Sequence, residues 1–351
     1  MKNQLGRNRK NLLHKKFRWS EFLAEKLITL TAFISFVFIV LIFIFVFREA
    51  APIFSSEEKK VSLIQAGEVQ ETYGDVEENN SPITSNQTSA LETSGSEGDA
   101  SLSNLTGTEW QPVSEVPKYG LLPLILGSLK VTLIAIFLAA PIAILAALFT
   151  AMFAPRWAKE LLKPAIEILA GFPSVVIGFF ALIVLATFVQ NLFGFEYRLN
   201  AFVGGLAMSL AVIPIVFTIS EDALTAVPKH LSEASLALGA TKWQTALFVV
   251  LPAATPGIFA AILLGIGRAF GETMIVLMAT GNAAIFSTQI VEPVRTMSAT
   301  IGAEMAEVVF GETHYNVLFL IGALLFLFTF TLNAIAEIFI RQRLMKKFSG
   351  N

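Results

Sequence analysis

The chain has 351 residues, 54% of them hydrophobic and only 15% charged, with 31 Phe and a formal net charge of −2. A soluble chain carries roughly 25% charged residues, so this is a membrane protein, and the near-neutral balance excludes a generally basic nucleic-acid binder. Cys is absent, which excludes a disulfide framework, a thiolate metal site and a cysteine nucleophile.

Residues 1–26 carry eight Lys/Arg against Glu21 and Glu25. Residues 27–47 then run for 21 positions without a charge, enough to span a bilayer core at about 1.5 Å per residue. The run exceeds the roughly 7–15 apolar residues of a signal peptide, and Ala50-Ala51 makes a poor cleavage site, so a retained first span is expected. Residues 48–118 invert the charge, with four Lys/Arg against thirteen Asp/Glu. Between Asn79 and Leu105 the chain is mostly Ser, Thr, Asn, Gly and Glu. Too poor in apolar residues to bury a core, it is expected to be a disordered acidic extracytoplasmic tether, or alternatively a contact site for a soluble partner. Trp110 and Pro112 are expected to return to the membrane interface as an amphipathic anchor.

Residues 119–340 read as five further spans. The second lies within 119–153, where Lys130 is expected to snorkel toward the outer surface. Arg156, Lys159 and Lys163 mark the turn after it. The third is expected over 164–190, kinked at Gly171-Phe172-Pro173-Ser174 because proline removes a backbone bond. The fourth covers 201–220. A polar helix–turn–helix follows, within a loop at about 221–246. It contains Glu233-Ala234-Ser235 and Gly239 and runs on to Leu251-Pro252. Gly239 suits the left-handed position that ends one short helix, and Thr241 can cap the next. Leu236, Leu238, Trp243 and Leu247 give the pair an apolar side with little core of its own, so it needs a partner surface. The fifth span comes next, then a mixed segment over 283–314, a sixth span over 315–340, and a basic tail, 341–351.

Orientation follows from the basic residues alone. Alternate segments starting at the N-terminus hold 17 Lys/Arg and the opposite side holds 6, so six spans with both termini in the cytoplasm are expected. The Glu233 loop then faces the cytoplasm.

Arg268 and Glu272 are the charges inside the fifth span. Read as one helix, they sit a turn apart and share a face. They continue a ridge of small residues, Ala253, Gly257, Ala261 and Gly265, along which another helix can approach closely. A charge within the membrane is costly and normally faces protein or water, so the pair is expected to face the bundle. Two readings stand: a self-neutralising structural pair, or a site where Arg268 offsets the charge of a passing anion while Glu272 fixes the Arg. His14, His230 and His314 lie in separate segments and are expected to be surface residues, without a metal site. Glu167 and Glu337, near span ends, are expected to be structural. No G-x-x-x-x-G-K-[ST] loop is present, so hydrolysis of ATP by that mechanism is not expected of this chain.

The Glu233-to-Pro252 spacing resembles the EAA loop of ABC-importer permeases, the segment that docks on the ATP-hydrolysing subunit. Ser235 stands where that loop usually has Ala; both are small. The following Gly267-Arg268-Ala269-Phe270-Gly271-Glu272-Thr273-Met274, on to Gly281-Asn282, is similar to phosphate-importer permeases of the PstC type, as is Glu167 with Gly171-Phe172-Pro173-Ser174-Val175-Val176. The resemblance covers most of residues 117–340 and does not extend to residues 55–108. It implies an all-α six-span type-I-importer permease bundle in the bacterial cytoplasmic (inner) membrane. It further implies separate ATP-binding subunits, so that no cofactor sits on this chain, a second homologous permease and an extracytoplasmic phosphate-binding protein. Two rivals remain: the same architecture for sulfate or molybdate, and a secondary transporter working without ATP. The cytoplasmic loop and the lack of a visible inverted repeat argue against the second.

Overall fold

The computed structural model describes residues 19–66 and 100–339. The basic N-terminal stretch, the Ser-rich centre of the expected tether, His14 and the basic tail lie outside the described residues. Two units are distinguished, Met1–Arg48 and Glu49–Asn351. Six helical segments among the described residues are long and apolar enough to cross a membrane.

The first unit contains the start of α1 (Trp19–Ala66). Its span, Leu23–Phe54, is uncharged from residue 27 to residue 47. The helix runs on past residue 47 and through Pro52 to Ala66, well into the stretch expected to be tether.

In the second unit the core is built by α3 (Leu122–Met152) packed along α7 (Ala201–Thr225). Ala135, Ala139, Ala143 and Ala147 recur every fourth residue on α3, and each is fully buried. Such a row of methyl groups lets helix backbones approach closely, which is how helices associate where lipid removes the hydrophobic drive. The approach is tight enough that a Cβ on Gly205 would lie 2.5 Å from Ile134 Cγ2. The predicted ridge of the fifth span does the same work: a Cβ on Gly257 would meet that of Ala223 at 2.3 Å, and one on Gly265 would meet Val216.

The third span differs from expectation. Residues 156–170 form a separate amphipathic helix, α4 (Arg156–Ala170). The span itself begins at Ser174 and runs to Phe193, as α5 (Ser174–Phe180), a π turn (Ala181–Leu185) and α6 (Ala186–Phe193). Pro173, with ψ at 134°, carries no donor and disfavours helix at the residue before it, so the expected kink is a full break. Glu167 accordingly lies on α4, exposed, outside any span.

The end of the supposed tether is folded as well. After α2 (Leu102–Leu105), the short hairpin β1 (Trp110–Gln111) and β2 (Lys118–Tyr119) pairs Trp110 with Tyr119. Leu105, Trp110, Tyr119 and Leu121 join Ala50, Ile53, Phe270, Met297 and Leu318 in a second apolar cluster. Trp110 is therefore a core residue and not an interfacial anchor. Lys130 does not snorkel to the surface either; it is buried, and Nζ donates to the Gln289 carbonyl at 2.8 Å. The same connection, residues 281–296, caps α7: the Ala201 and Phe202 N–H groups donate to the Glu292 and Ile290 carbonyls at 3.0 and 2.9 Å. Helix-start donors inside a membrane protein need such partners. The remaining helices are α8 (Lys229–Ala237), α9 (Lys242–Thr245), α10 (Leu251–Phe270), α11 (Met274–Ala279), α12 (Met297–Glu304) and α13 (Thr313–Phe339).

Candidate functional site

The turn within the helix pair after the fourth span is closed by local bonds. At the end of α8, Gly239 adopts φ +89°, and its N–H donates to the Leu236 carbonyl while that of Ala240 donates to Ser235, at 3.0 and 3.2 Å. This is a Schellman end, for which glycine carries no Cβ penalty. Thr241 opens α9 with a capping box: its hydroxyl accepts from the Gln244 N–H at 3.3 Å, and Gln244 Oε1 accepts from the Thr241 N–H at 2.8 Å. The Ser235 and Thr245 hydroxyls, 3.0 Å apart, tie the two helices together. Alanine at 235 cannot make that bond, so the departure from the usual loop residue has a structural use that spacing did not reveal.

Yet α8 contains no buried residue. Glu233 and Ala234 are exposed, and Leu238 and Trp243 retain 90% and 56% of their surface. Leu236 also faces out, whereas Leu247 packs on the main core. A π turn (Ala246–Val250) joins α9 to α10, with the Leu251 N–H reaching back to the Ala246 carbonyl. Pro252 follows at the start of α10. Because proline supplies no donor, the one-residue register shift forfeits no bond at that position. The pair is thus rigidly continuous with the fifth span.

Arg268 and Glu272 are not on one helix. α10 ends at Phe270, Gly271 caps it, and α11 starts only at Met274. The ladder is interrupted over 271–273, so the one-turn spacing read from the sequence does not hold. Arg268 is exposed, although it follows the buried Ala261 and Gly265 along α10, and Glu272 is half-buried. Among the described residues no ion pair or hydrogen bond joins their side chains. The Glu272 carbonyl accepts from the Ser298 hydroxyl at 2.6 Å, which fixes the break against α12. At the neighbouring Gly267 an added Cβ would meet nothing within 4 Å.

A polar cluster at the other end of the spans had no sequence signal, because its members are spread from 110 to 314. Glu304 accepts from Trp110 Nε1 at 3.2 Å, pairs with His314 Nε2 at 3.0 Å and forms an ion pair with Arg295. Arg295 Nε also donates to the Asn282 carbonyl at 3.1 Å. Burial by itself pushes the Glu304 carboxyl up, but the hydrogen bonds from His314 and Trp110 and the Arg295 charge outweigh it and hold the group below the ordinary carboxylate range. His314 stacks edge-on to Trp110 and is largely buried, so it is not the surface residue expected; His230 is exposed. Gly281 and Asn282, with φ +82° and +48°, form the left-handed turn that returns the chain to this cluster.

A family model described as binding-protein-dependent transport system inner membrane component matches residues 139–344. A relative named probable ABC transporter permease protein YqgH, from Bacillus subtilis (strain 168), is 38% identical over 226 residues, 64% of this chain and 73% of its own. The phosphate transport system permease protein PstC of Mesorhizobium japonicum is 34% identical over 252 residues, 66% of this chain and 76% of its own. PstC of Xylella fastidiosa (strain Temecula1) is 33% identical over 263 residues, 70% and 79%. Among solved structures, an inward-facing form of the MetNI methionine ABC transporter aligns with TM-score 0.48 at 17% identity, covering 61% of this chain and 92% of that one.

Proposed function

The chain belongs to the family of binding-protein-dependent transport system inner membrane components, and from that premise we propose that its cargo is inorganic phosphate and that its exposed helix pair receives the stroke of a separate ATPase. A multi-pass permease of this family is not itself a catalyst. The phosphate reading is supported by relatives named as phosphate permeases that align over about two thirds of the chain. It is carried by one observation on the chain itself: an arginine in the fifth span that stands exposed, without an ion-pair partner among the described residues.

A guanidinium in a low-dielectric path is a strong complement to an oxyanion, since its planar fork presents paired donors and it stays charged. Arg268 lines the path that this permease forms with a second, homologous one, and offsets the charge of the anion as it passes. Glu272, on the far side of the break at Gly271, competes for Arg268 when the path is empty and so keeps an anion from being trapped.

Coupling runs through Glu233, Ala234, Ser235 and Gly239 on the docking pair, then Leu251 and Pro252 into α10. ATP is bound by the partner subunits, both termini and the docking pair face the cytoplasm, and an extracytoplasmic binding protein delivers the anion. The switch works because the ATPase contacts differ between two arrangements of the permease.

The test is uptake of labelled phosphate by the assembled complex in vesicles, with the binding protein outside and ATP inside. Expected are ATP-dependent uptake that excess sulfate or molybdate does not compete away, and its loss in Arg268→Gln. The Arg268→Gln/Glu272→Gln double variant should be as inactive as the single one. Recovery of near-parental uptake in the double variant would reduce the pair to a structural role, and competition by sulfate would reassign the cargo.

A further inference from the structure

We propose that α4 is an in-plane membrane helix whose outward apolar stripe is covered by lipid at the boundary between headgroups and acyl chains. The stripe consists of Trp157, Leu161, Pro164 and Ile168, continued by Phe172 just past the helix end. At about 100° per residue these positions fall within an arc of roughly 80°. Trp157, Leu161 and Ile168 keep 70%, 64% and 63% of their surface.

The rotational setting of α4 is fixed from the opposite sides. Ala158 is buried and Ile166 packs on the main core. Lys163 Nζ pairs with the buried Glu221 at the foot of α7, at 2.9 Å, and Lys159 Nζ donates to the Ala151 carbonyl at 3.3 Å. With these contacts on one side and the exposed Glu160 and Glu167 on the flank, the stripe points outward.

Lipid is the occupant that the surroundings favour. Only three residues at each end, 153–155 and 171–173, separate α4 from membrane-spanning helices, so it cannot leave the level where those spans begin. Both neighbouring helices carry exposed apolar residues as well: Leu145 and Phe149 on α3, and Val175, Val176 and Phe179 on α5. A narrow apolar face headed by Trp and flanked by charges is the form of a helix half-sunk in an interface.

The chain's lack of Cys makes the test direct. Nitroxide labels are placed singly through Leu161→Cys, Ile168→Cys, Glu160→Cys and Glu167→Cys in the full complex in phospholipid vesicles. Collision with oxygen, which concentrates in the bilayer, is compared with collision with a water-soluble nickel chelate. Labels at 161 and 168 should favour oxygen, those at 160 and 167 should favour nickel, and the contrast should reverse sign between the two faces. Shielding of 161 and 168 from both reagents would mean that a protein surface covers the stripe; nickel access there would mean that it faces water. Either result overturns the proposal. The inference rests on the membrane-spanning fold and not on the cargo, so the uptake assay and the labelling assay fail independently.

Discussion

The helix pair over 229–245 and the cap built from residues 100–121 with 281–316 are both connections between spans, but they are stabilised in opposite ways. In the helix pair the turn is closed locally, by a Schellman end at Gly239 and a capping box at Thr241, while almost nothing is buried. In the cap the segments are short and irregular, and the order comes from burial: Trp110, Tyr119 and Met297 are nearly inaccessible, and Glu304 holds Arg295 and His314 on either side of it in the chain together with the distant Trp110. A segment that is well capped yet coreless is preformed for another surface. One that is irregular yet buried is finished within the chain.

The contrast makes stability and transport respond differently to substitution. The largest loss of stability is expected in the cap. Trp110→Ala removes a buried ring and the Glu304 hydrogen bond, at a cost of about 3–5 kcal/mol, read as a lowered unfolding midpoint of the purified complex. Glu304→Gln should cost less, about 1–3 kcal/mol, by leaving Arg295 without its counter-charge. Because the Glu304 pKa is depressed in the fold, its contribution is present above the unfolded glutamate value of about 4.3 and is lost as pH falls through the folded value. Trp110 fluorescence should report loosening in that acid range for the parent, and Glu304→Gln should flatten the response. A Trp110→Ala protein as stable as the parent would erase the distinction between the two regions.

In the helix pair the order of effects reverses. Gly239→Val forces a β-branched residue to positive φ at a local cost of about 1–2 kcal/mol. It should leave the global unfolding midpoint nearly unchanged while uptake and substrate-stimulated ATP hydrolysis collapse. Normal uptake by a stably inserted Gly239→Val protein would remove the reason for assigning docking to this segment. The smallest effect is expected from Ser235→Ala, which loses one half-exposed hydroxyl contact worth about 0.5–1.5 kcal/mol and should show as a modest drop in coupling efficiency alone.

By itself the sequence determined the class, the number of spans, the small-residue ridge of the fifth span, and the turn chemistry at Gly239 and Thr241. These are set by composition, by run length and by residues that act on their own backbone within about four positions, all of which are local. Tertiary structure decided the rest. Whether Pro173 kinks a helix or ends it depends on where the following helix finds its packing partners, and the observed break turns residues 156–170 into a separate surface helix. Whether Arg268 and Glu272 share a helix depends on how the chain turns at Gly271 to meet α12. The Trp110–Glu304–His314–Arg295 cluster joins residues up to 204 positions apart in the chain. Side chains so far apart carry no periodicity, so only the closing of the bundle brings the donors to their acceptor.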